Sequence, residues 1–160
     1  MPLYYSTNRV TTTNGTANTC STNMAIVAAT LYQTARLTAV LVNARNSTAG
    51  GGELRIAGTV AGGNSNAQPD LGAAATIVRK RDDSPAAVTS VLIDSSVIGT
   101  NGTTQEHTSI GFAETGGQNG WVALEPDDAF LLRPTRGCQR FNSYAVGTSQ
   151  NISITLHFNE

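Results

Sequence analysis

Charge is scarce in this chain. Only 13% of its 160 residues are Asp, Glu, Lys or Arg, about half of the roughly 25% usual in soluble domains. A freely diffusing protein usually keeps itself soluble with charge; here Ser, Thr, Asn, Gln and Gly take that role. Lysine is scarcer still, since Lys80 is the only one. Interfaces are poor in Lys and rich in Arg, whose planar guanidinium is weakly hydrated. Such a surface suits a protein packed against others. The formal net charge of −1 leaves no basic field for nucleic acid. No apolar run approaches the ~20 residues of a membrane span. The opening MPLYYSTNRV lacks the basic and apolar regions of a secretory signal, so the chain is expected to fold in the cytoplasm of whatever makes it. Cys20 and Cys138 are too few and too distant for a zinc motif. A reducing cytosol favours two free buried thiols, and spacing leaves a pairing between them open.

What the chain does have is alternation. In Asn151 to Phe158 apolar and polar residues alternate strictly, which means a strand with one buried face; His157 then joins Ser153 and Thr155 on the polar face. Leu54 to Val60 and Ile110 with Phe112 read the same way, and Ala75 to Arg79, Trp121 to Leu124, Ala129 to Leu132 and Phe141 to Val146 complete the set of expected strands. Leu37 to Val42 and Val88 to Ile93 are denser, as in strands covered on both faces. Asn23 to Tyr32 suits a capped short helix or a strand, and the strand is favoured because its neighbours are strands. Glycines 50–52, Gly62-Gly63-Asn64, Asp82-Asp83-Ser84-Pro85, Asn101-Gly102, Gly116-Gly117, Pro126-Asp127-Asp128 and Arg136-Gly137 punctuate these runs with turn chemistry. The expectation is an all-β fold: a single antiparallel β-sandwich, jelly-roll-like, over residues 23–160. Residues 1–22 break the pattern after Val10. They are expected to form an extended N-terminal arm that straps the domain to a neighbour, with Leu3, Tyr4 and Tyr5 as apolar anchors and Arg9 as a polar clamp; the alternative is that Leu3 to Val10 is the first strand of the domain's own sheet.

Groups able to do chemistry are few. His107 lies in Glu106-His107-Thr108-Ser109, but no nucleophile elbow accompanies it and triads are defined by geometry. Glu125, Asp127 and Asp128 crowd one segment without the ligand rhythm of a calcium loop. Pro126-Asp127-Asp128 reads instead as a hairpin turn. Gly50-Gly51-Gly52 lacks the Lys and the following helix of a phosphate loop. Aromatic content is 6%, poor for a glycan site built on aromatic platforms, and Trp121 alternates as a core tryptophan would. No catalysis, cofactor or metal is expected.

The stretch ATLYQTARLTAVLVNARNSTAGGGELRIAG, with the alternating C-terminal strand, resembles the small β-domains of tailed-bacteriophage virion proteins. VALEPDDAFLLRP is similar to the strand–turn–strand of capsid-decorating and fibre-head sandwiches, with Pro126-Asp127-Asp128 where those often have Pro-Gly-Asp. The resemblance implies a head decoration or cement protein that stabilises a phage head by binding the outside of the shell. Its partners would be the major capsid protein and further copies of itself, as a trimer or dimer with the trimer favoured, and its place would be the outer capsid surface of the virion. The alternative is a tail or fibre head, or a lectin-like module, that binds a host receptor or glycan.

Overall fold

A computed structural model of the chain describes residues 2–11, 21–27, 34–44, 51–60, 73–87, 89–95, 103–112, 117–132, 138–145 and 151–160. Among them the fold is all-β. The strands are β1 (Leu3–Thr11), β2 (Ser21–Val27), β3 (Ala35–Ala44), β4 (Gly52–Val60), β5 (Ala73–Ala74), β6 (Ile77–Arg79), β7 (Ser90–Ser95), β8 (Thr103–Phe112), β9 (Gly117–Val122), β10 (Phe130–Leu132), β11 (Cys138–Ala145) and β12 (Asn151–Asn159). They pair antiparallel in two six-stranded sheets. The first runs β10-β3-β12-β1-β6, with β9 also on β3; the second runs β5-β7-β2-β11-β4-β8.

The alternation of β12 does what its pattern dictates. Ile152, Ile154, Leu156 and Phe158 are buried, and the residues between them face outward. They join Tyr4, Leu37, Val40 and Val42 from the first sheet and Met24, Ile26, Leu54, Ile56, Val91, Ile110 and Phe112 from the second in one core cluster. Burying a large apolar side chain is worth roughly 1.5–3 kcal/mol, so this cluster fixes which face of each strand turns inward. In β3 the buried positions change parity, from Ala35 and Leu37 to Val40, Val42 and Ala44. The register against β12 skips Thr38 between Phe158↔Leu37 and His157↔Ala39. A bulge of this kind re-aims the strand and accounts for the dense apolar run from Leu37 to Val42.

Three expectations need correction. Residues 3–11 are a strand of the domain's own sheet, not a free strap. β1 pairs with β12 along its whole length and with β6 at Tyr4–Ser6, so main-chain groups meant for a neighbour are spent within the domain. β2 also begins at Ser21, inside the proposed arm; residues 12–20, with Cys20, lie outside the described residues. Second, Pro126-Asp127-Asp128 does not reverse the chain. β9 and β10 pair antiparallel with the same edge of β3, Val122 opposite Ala39 and Phe130 opposite Leu37. Residues 123–129 are therefore an excursion from one interrupted edge strand, opposite the Thr38 bulge, where the Ala123 amide donates to the Thr38 carbonyl at 2.9 Å. Third, Ala75 to Arg79 is not one strand. Ala73–Ala74 pairs with β7 in the second sheet, and Ile77–Arg79 pairs with β1 in the first. The corner is held by the Ala75 amide on the Val91 carbonyl at 2.7 Å and by the Ser6 hydroxyl donating to the Thr76 carbonyl at 2.8 Å.

Candidate interaction face

The sequence singled out Leu3, Tyr4, Tyr5 and Arg9, and β1 divides them by parity. Tyr4 points inward and is fully buried. Its ring stacks on Phe158 with centroids 5.5 Å apart, and its hydroxyl donates to the Pro85 carbonyl at 3.0 Å. Burial pushes the Tyr4 hydroxyl pKa up, helped by the Glu160 carboxylate and opposed by Arg79. Tyr4 is a core residue and no foreign surface can reach it. Leu3, Tyr5 and Arg9 share the opposite face, the outer face of the first sheet.

That face is built in rows of cross-strand partners. Thr11 meets Asn151, its hydroxyl donating to Asn151 Oδ1 at 2.8 Å. Thr7 meets Thr155, hydroxyl to hydroxyl at 2.9 Å. The next row crosses five strands: Val78, Tyr5, His157, Ala39 and Val122. Tyr5 and His157 rings are tilted at 6.2 Å. Burial, with Lys80 adding to it, lowers the pKa of His157. Beyond this row Leu3, Asn159, Arg36 and Leu131 follow. Val78 is 39%, Leu131 41% and Val122 55% exposed, and Leu124 in the excursion reaches 90%. These are all the exposed large hydrophobic residues among the described residues, and all belong to the first sheet or its edge.

The excursion itself is anchored from below. Trp121 and Phe130, at its two ends, face inward and stack with centroids 4.5 Å apart, both packed against the core. Inside it the Asp128 amide donates to the Glu125 carbonyl at 3.1 Å, and the Glu125 amide donates to Asp128 Oδ2 at 3.3 Å. Glu125, Asp127 and Asp128 are exposed. No group of three His, Cys, Asp or Glu able to hold a metal ion occurs among the described residues. His107 lies on β8 where the register against β4 skips from Thr108 to Glu106; its side chain and that of Glu106 are outside the described residues. No helix among the described residues is long and apolar enough to cross a membrane.

The apolar row was not foreseen as a unit. A signal for part of it exists in Trp121-Val122-Ala123-Leu124. Neighbours in a strand point to opposite faces, so a core Trp121 turns Val122 outward. No protein-family model matches the chain, and no curated protein and no solved structure matches it either.

Proposed function

We propose that this chain is a structural virion protein: a capsid decoration or cement protein that binds the outside of a phage head and assembles with copies of itself. The observation that carries the reading is the outer face of the first sheet. It sets a row of exposed Val78 and Val122 and half-buried Tyr5 and His157 across a face whose other residues are mostly polar, with few charges. Such a surface asks for a partner, and this chain has little charge with which to keep it apart from one. The strand order supports a jelly-roll-like sandwich. β1, β12, β3 and the β9–β10 edge in one sheet, with β2, β11, β4 and β8 in the other, follow the order of two Greek keys, a plan frequent in capsid and lectin domains. β5, β6 and β7 would then be an insertion between β4 and β8 that widens both sheets.

The test is reconstitution. Purified heads lacking this chain are mixed with it, washed, and the bound copies counted by quantitative gel analysis and electron microscopy. The expected result is saturable binding in proportion to shell subunits, with heads more resistant to heat or chelation. Binding of only a few copies at the tail, or binding to host cells or glycans without heads, would favour a receptor-binding head instead.

A further inference from the structure

We propose that the outer face of the first sheet is a self-association surface on which a second copy of this chain packs, sheet against sheet, about a two-fold axis running along β12. This rests on the reading of the chain as a protein that assembles with its own copies, and it specifies the face and the symmetry. It departs from the trimer implied by resemblance.

Three observations lead to it. The exposed hydrophobic residues of the described chain collect on this face and its edge: Val78, Val122, Leu131 and Leu124. The face is also large enough. β1, β12, β3 and the β9–β10 edge, each about 30 Å long, with the three-residue β6, at a spacing of about 4.8 Å give roughly 600 Å², approaching the ~800 Å² per partner of a stable interface. Its charge, finally, is arranged to complement itself. On the β9–β10 side Glu125, Asp127 and Asp128 are exposed and residues 117–132 contain no Lys or Arg, so with Arg36 of β3, the partner of Leu131, that side still carries net negative charge. On the β1–β6 side lie exposed Arg9, Lys80 and Arg81, whereas Arg79, opposite inward-facing Tyr4, belongs to the other side of the sheet. Arg81 is engaged with Asp83 at 2.9 Å. With Asp82 and Asp83 included, that side still carries net positive charge. β12 is the middle strand of the sheet order. Rotation about an axis along it lays the acidic edge of each copy over the basic edge of the other. It also lays the apolar row on itself, with Val78 facing the second copy's Val122. The arrangement is isologous and closes as a pair, in the aligned mode of sheet packing. A partner of uniform charge would match one edge and repel the other.

The test uses the whole chain without heads, so its outcome is independent of head binding. Sedimentation velocity over a concentration series is expected to give a dimer. Val122→Glu, and independently Val78→Glu, are expected to weaken it by roughly tenfold or more while far-ultraviolet circular dichroism and melting stay unchanged. Two positions are used so that a folding defect at one does not decide the matter. Arg9→Glu with Lys80→Glu, and separately Asp127→Lys with Asp128→Lys, should each give monomer, and mixing the two variants should restore association. A monomeric wild type, a variant set that leaves sedimentation unchanged, or a mixture that stays monomeric would overturn the proposal. A trimer insensitive to all four variants would place self-association elsewhere.

Discussion

Tyr4 and Gly120 set the limits of what the first sheet tolerates at single residues. Tyr4 combines a ring stacked on Phe158 with a hydroxyl bonded to the Pro85 carbonyl. Its two halves can be separated. Tyr4→Phe keeps the stack and leaves a carbonyl without its donor, so it is expected to lose about 1 kcal/mol. Tyr4→Ala also empties a fully buried site and should lose roughly 3–5 kcal/mol. Urea unfolding of both variants checks the pair of values, and equal losses would mean that the ring contributes nothing. Gly120 is needed for a different reason. A Cβ there would stand 2.6 Å from Leu41 Cδ2 and 2.9 Å from the Val40 carbonyl oxygen. Gly120→Ala is expected to destabilise by about 1–3 kcal/mol. Adding Leu41→Ala should recover only part of that in a double-mutant unfolding series, because the Val40 contact is with backbone and cannot move aside.

The excursion at residues 123–129 is an element-scale feature that decides how β9 and β10 are read. Its flanks already lie in register on β3, with one residue, Thr38, between their partners. Deleting 123–129 should therefore join Val122 to Phe130 past the Thr38 bulge and keep Trp121 and Phe130 two residues apart on the inner face. The expected loss is under about 1 kcal/mol, which for a domain of this size is roughly 2–4 °C in melting temperature; thermal unfolding would reveal a larger role as a larger drop. This excursion also marks where sequence reading reached its end. Alternation located β12 and β4 because one face of each meets a core that admits only apolar side chains. Local chemistry could not tell a hairpin from an excursion, since Pro126-Asp127-Asp128 suits either and the difference lies in partners on distant β3. The arm was misread for a related reason. Polar Thr7, Arg9 and Thr11 are the outer face of a paired strand, yet from sequence they look like a segment without a core. Leu3, Tyr5 and Arg9 lie on one outer face, but Val78, His157 and Val122 on the same face come from three other strands, and only register brings them together.

At the scale of the whole molecule, His157 ties the stability of the fold to the state of its outer face. It sits in the centre of the apolar row, with Tyr5 from β1 and Lys80 beyond β6 as the titratable groups around it among the described residues. Burial first, and Lys80 second, lower its pKa in the folded chain. The unfolded chain takes up this proton near the ordinary value of about 6.5, whereas the folded chain resists it until lower pH. Over that window the unfolded state binds more protons, so folding stability falls as pH falls below about 6.5 and is insensitive to this group above it. His157→Gln should flatten the fall, measured as the difference in urea midpoint between about pH 7.5 and about pH 5.5. If copies pair as proposed, the axis along β12 brings the two His157 side chains close to each other. Charging both within a covered face is then opposed by burial and by like charge, and acid should separate the pair before it unfolds the domain. Sedimentation across the same pH range is expected to show dimer passing to folded monomer in the wild type, with the transition shifted to lower pH or abolished in His157→Gln. Separation and unfolding that coincide at every concentration would mean that His157 acts within one copy only.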